Sequence, residues 1–91
     1  MGNVFLILEE YDHLKRKPWE TVQQFSIIFN DVYHSIPMDV RSPPGLAKLH
    51  FPKAFDPEMA FQLRERNTAS LEEMQSIAVD VETNLLIKRS K

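Results

Sequence analysis

Cysteine is absent from this chain. That removes disulfides, thiolate nucleophiles and cysteine-ligated zinc together, and it agrees with a reducing, intracellular setting. Glycine is scarce as well. With two in 91 residues there is no glycine-rich loop to cradle a phosphate and no glycine-flanked turn to present a nucleophilic serine. An excess of one charge is also missing. Eleven Lys and Arg against 13 Asp and Glu give a formal net charge of −2, whereas non-specific nucleic-acid binding wants a basic face that displaces counterions. No direct nucleic-acid contact is expected, and the short basic end Lys88-Arg89-Ser90-Lys91 is a weak signal. Long apolar runs are lacking too. The longest, Val4 to Leu8, has five residues against roughly 20 for a membrane helix. A secretory signal does not fit, because no basic n-region precedes this run and Glu9-Glu10 follow it. Met1-Gly2 looks like a myristoylation start, but that motif wants Ser or Thr where Leu6 stands.

What is present is helical patterning. Hydrophobic residues make up 43% of the sequence, too apolar for disorder, and the length suits one domain over residues 1–91. Val4, Ile7, Leu8, Tyr11 and Leu14 form a first helical stripe, with Glu9, Glu10, Asp12 and His13 opposite. Phe5 and Leu6 lie off that stripe, as if a preceding helical lobe had once covered this end. Lys15-Arg16-Lys17-Pro18 then interrupts, since a residue before proline is pushed out of the α region. A second helix is expected from Trp19 or Glu20. Its face carries Val22, Phe25, Phe29, Val32 and Ile36, widened by Ile28 and Tyr33, while Ile27 falls among polar residues.

Ser42 followed by Pro43 reads as the start of a short third helix bearing Leu46, Leu49 and Phe51, ended or kinked by Pro52. Asp56-Pro57-Glu58 repeats that signal for a fourth helix with Met59, Ala60 and Leu63, ending by a left-handed Asn67. Ser70 with Glu73 is a capping box. The fifth helix aligns Leu71, Met74, Ile77, Ala78, Val81 and Leu85, with Val79 and Leu86 as a second, narrower stripe. The expected fold class is all-α, a single compact bundle of about five helices.

Catalytic and metal chemistry find little support. His13, His34 and His50 fall in three different elements, without an acid at the i,i+3 or i,i+4 spacing of a helical metal site, and are expected on solvated faces. Glu9, Glu10, Asp12, Glu72 and Glu73 read as solvated or helix-start carboxylates. No enzyme, cofactor or metal is expected. Hydrophobes that miss the main stripes, Trp19, Ile27, Val79 and Leu86, point instead to a protein–protein surface.

The order of these signals resembles the retrotransposon gag family, specifically the C-terminal capsid lobe of gypsy-type LTR elements. The run Tyr11-Asp12-His13-Leu14-Lys15-Arg16-Lys17-Pro18-Trp19-Glu20-Thr21-Val22-Gln23-Gln24-Phe25 looks like that family's basic, proline-containing turn ahead of an aromatic-rich helix. Phe51-Pro52-Lys53-Ala54-Phe55-Asp56-Pro57-Glu58 resembles its F-x-x-G-L-x-P turn, with Ala54 at the glycine. Ser70-Leu71-Glu72-Glu73-Met74 resembles the start of its last helix. The first run is also similar to the major homology region of retroviral capsids: Pro18, Glu20, Phe25 and Phe29 match, whereas Arg16 replaces a glutamine and Ile28 an arginine. That region's buried polar network is therefore not expected intact.

The resemblance implies a retroviral capsid C-terminal-domain-like lobe that self-associates weakly, as homodimer and shell contacts, in a cytoplasmic virus-like particle. The other capsid lobe of a longer chain would be its neighbour. It favours the short helix around Leu46 and Leu49 as the dimer contact. The alternative is a domesticated gag-derived or SCAN-like adaptor that homodimerises or binds a host peptide.

Overall fold

A computed structural model describes residues 3–89; the Met1-Gly2 start and the last two residues of the basic tail, Ser90 and Lys91, lie outside the described residues. In chain order it forms α1 (Val4–Asp12), α2 (Val22–Ser35), α3 (Pro44–His50), a 3-10 turn (Phe51–Ala54), α4 (Pro57–Glu65) and α5 (Leu71–Arg89). No strand occurs among the described residues. The all-α bundle read from the sequence is what this chain forms.

The interior closes between the two long helices. Val22, Phe25, Phe29, Tyr33 and Ile36 on one side meet Met74, Ala78, Val81 and Leu85 on the other, and Phe51, Phe55, Met59 and Leu63 fill the space between. Phe51 meets Phe29 edge-on at 5.1 Å between ring centres, and Phe55 meets Phe25 edge-on at 5.3 Å. Edge-to-face pairs add to area burial, and each such ring contributes about 1.5–3 kcal/mol through burial alone. The short elements thus supply the middle of the core. α5 packs against α2, α3 and α4, so its wide apolar surface is largely used. Val79 in particular is half-buried against the core and is not a stray exposed hydrophobe, whereas Leu86 of the same narrow stripe stays exposed.

Three boundaries differ from the sequence reading, each for a local reason. α2 begins after Thr21, not at Trp19 or Glu20. Residues 17–20 are closed as a turn by the Glu20 amide donating to the Lys17 carbonyl at 3.0 Å. Thr21 and Gln24 then cap the helix reciprocally. α3 begins at Pro44, with Pro43 and not Ser42 as its cap. A residue before proline must stay extended, and Pro43 has ψ of 155°. α4 ends at Glu65 and leaves through an extended Arg66, with no positive-φ residue at Asn67 or anywhere among the described residues. The lack of positive φ also explains why alanine serves at position 54.

The other two start signals hold. The Asp56 carboxylate accepts from the Met59 amide at the head of α4. Ser70 Oγ accepts from the Glu73 amide, while the Glu73 carboxylate reaches the Ala69 amide instead of that of Ser70.

Candidate self-association surface and the polar turn

The four residues of the homology-region-like run divide into two pairs. Phe25 and Phe29 are core. Pro18 and Glu20 shape the turn, where the Glu20 carboxylate accepts from the Lys17 amide at 2.8 Å. This turn is fastened to the rest of the bundle. The Arg16 amide donates to the Ala54 carbonyl at 2.9 Å, and Lys15 Nζ to the Lys53 carbonyl at 2.8 Å. The Arg16 guanidinium donates to the Glu82 carboxylate at 2.8 Å, lies 3.7 Å from Asp56 and covers the Phe55 ring at 5.3 Å.

Glu82 also accepts from the Val22 amide at 3.2 Å. Val22 is the first residue of α2, so a carboxylate from α5 serves an otherwise orphan donor at a helix start. A polar network therefore exists at this turn, built on Arg16, Asp56 and Glu82. Sequence reasoning missed it because the partners lie 66 positions apart.

The apolar candidates do not gather in one patch. Leu46 and Leu49, 54% and 61% exposed, do lie together on α3. They line a groove of about 380 Å³ with Leu8, Tyr11, Asp12, Ile36, Val40, Ser42, His50 and Lys53. The short helix buries only Ala47, which leaves its two leucines outside. Val40, at the wall of this groove, and Phe61, on the outer face of α4, are exposed hydrophobes that the helical stripes did not single out. Trp19 is 76% exposed at the turn, with Lys17 Nζ 5.8 Å from its ring centre. Leu86 is exposed at the edge of a small recess shared with Pro18, Glu82 and Leu85. Ile27 is exposed on α2, apart from both recesses.

One histidine departs from expectation. His13 and His34 are exposed, their Nδ1 atoms paired with the carbonyls of Glu9 and Asn30. His50 is instead half-buried, stacked on Tyr11 at 4.2 Å, with Nε2 on the Tyr11 carbonyl at 2.9 Å. It fastens α3 to the end of α1. Its spacing gave no hint of this, because the contact joins two elements far apart in sequence.

Tyr11 itself is buried beneath the groove. Loss of water pushes its phenol up from 10.0 to about 12, with the nearby Tyr33 and Asp12 acting the same way; Ser42 opposes this only in part, short of a hydrogen bond to the Tyr11 oxygen.

Among the described residues, no three His, Asp or Glu side chains are grouped to hold a metal ion, and no helix is long and apolar enough to cross a membrane. No protein-family model, curated protein or solved structure matches this chain.

Proposed function

We propose that this domain is a structural self-association unit, the C-terminal capsid lobe of a retrotransposon gag polyprotein. Its contacts contribute to a dimer and to the shell of a virus-like particle in the cytoplasm. The observation that carries the reading is the α3 groove, where Leu46 and Leu49 stand exposed beside Leu8 and Val40. Covering such apolar area is the main driving force for association. The rim of the groove bears one acid, Asp12, and one base, Lys53. A two-fold interface places residue i on j and j on i, so a patch with one charge of each sign suits pairing with itself.

The resemblance of the Arg16–Phe25 and Phe51–Glu58 runs to gag capsid lobes supports the same reading. The proposed role is binding; in the groove the His50 ring serves the Tyr11 carbonyl, and Asp12 is exposed at the rim. Shells combine many weak contacts, so weak association by one lobe is consistent with assembly by the whole chain. Sedimentation over a concentration series tests the reading. A reversible dimer that Leu49→Asp abolishes, with helicity unchanged, is the expected result.

A second reading is the peptide-binding adaptor. It draws on a groove of about 440 Å³ between α1 and α2, with Phe25, Ile28 and Val32 as apolar lining and Glu10, Lys15, Lys17 and Glu20 at its edges. Peptide binding there would be blocked by Ile28→Glu and left intact by Leu49→Asp.

A further inference from the structure

The sequence shows no basic face, yet the fold assembles a small one. Where α3, the end of α4 and the start of α5 converge, a pocket of about 250 Å³ is lined by Lys48, Leu49, Pro52, Arg64, Arg66, Asn67, Thr68 and Met74. Three cations line it, and no carboxylate does. The chain as a whole carries a net charge of −2, so this is a local reversal of sign.

The guanidinium groups are uncommitted. Among the described residues neither Arg64 nor Arg66 makes an ion pair or a side-chain hydrogen bond. Lys48 is fixed in place by its bond to the Thr68 carbonyl at 2.7 Å. Thr68 is the chain's one buried polar residue among those described, 4% exposed, and its hydroxyl has no partner in the protein. That oxygen is itself sealed from solvent, so the groups that face the recess are the cations and Asn67. The lining is thus rich in donors and positive charge.

A helix-end explanation accounts for part of this. Arg64 lies in the last turn of α4 and Lys48 in the last turn of α3, where cations suit the dipole. It does not account for Arg66, which lies beyond α4 in extended backbone.

We propose that this pocket binds a small phosphate-bearing anion. Two planar guanidinium forks and an ammonium match the several oxygens of a phosphate. The recess is concave and compact, and the acidic balance of the remaining surface disfavours a long polyanion. Occupancy would tie α3 to the Arg66–Ser70 connection and so stiffen the segment that carries Leu49. The inference stands independently of the capsid reading.

The test is an NMR titration of the whole domain with inorganic pyrophosphate at constant ionic strength. Saturable shifts confined to the amides of Lys48, Arg64, Arg66, Asn67 and Thr68 are expected. Arg64→Gln with Arg66→Gln should weaken binding by about tenfold or more. Lys17→Gln with Lys88→Gln, which removes equal charge from remote surface, should leave it unchanged. Equal weakening by both pairs, shifts scattered over the surface, or no saturation would overturn the proposal. So would tighter binding of a single-stranded RNA oligonucleotide than of pyrophosphate at equal phosphate.

Discussion

The Glu82 carboxylate lies 2.8 Å from the Arg16 guanidinium and 3.2 Å from the Val22 amide, so one side chain of α5 joins the turn before α2 to the first residue of α2. Both partners are largely shielded, at 20% and 21% side-chain exposure. Removing the Glu82 charge leaves Arg16 with only the more distant Asp56 and weakens the acceptor at the Val22 amide. Glu82→Gln is expected to lower stability by about 2 kcal/mol, read as a lower urea midpoint with an unchanged slope. A double-mutant cycle with Arg16→Gln should return a coupling of about 1 kcal/mol or more.

Tyr11 gives the domain an alkaline limit. Its phenol, raised by burial from 10.0 to about 12, is protonated in the folded state where the unfolded chain would ionise. The associated stability is present below pH 10 and is lost as pH climbs through 12. Two units correspond to roughly 2–3 kcal/mol. Tyr11→Phe should therefore flatten the fall in denaturation midpoint between pH 10 and 12. At neutral pH it should cost little, because the hydroxyl it removes has no partner.

Leu49→Asp and Ile27→Asp separate the surface candidates. Both residues are more than 60% exposed, so neither change should move stability by more than about 0.5 kcal/mol. Only Leu49 lies in the shared groove. Analytical ultracentrifugation should find dimerisation lost in Leu49→Asp and kept in Ile27→Asp.

Phe51→Ala probes the opposite extreme. The ring is fully buried, in contact with Phe25, Phe29 and Phe55. Truncation should cost about 3–5 kcal/mol, a large share of what a small domain has. Circular dichroism melting should show an early or absent cooperative transition.

What the sequence revealed, and what it hid, follows from range. Val22, Phe25, Phe29 and Ile36 could be placed in the core because one helix repeats its face every few residues. The starts at Asp56-Pro57 and Ser70 were legible because caps act over three positions. The misplaced start of α2 was a local error: Thr21 and Gln24 form a capping box that the adjacent Pro18-Trp19 signal overshadowed. Arg16 with Glu82, His50 with Tyr11, and the gathering of Lys48, Arg64 and Arg66 were different. Each depends on how separate helices meet, and no periodicity encodes that. Among the surface residues, Leu46 and Leu49 were found together, Val79 proved to be packed, and Trp19, Ile27 and Leu86 do not join their groove.

The bond between Arg16 and Glu82 has a consequence for synthesis. A ribosome delivers the chain from its amino end, so the basic turn and α2 emerge long before the residue that fastens them. Until position 82 has been made, the carboxylate that joins Arg16 to the Val22 amide does not exist. The nascent domain thus waits for its closing piece, and a chain released before that point lacks the clasp that holds its first half shut.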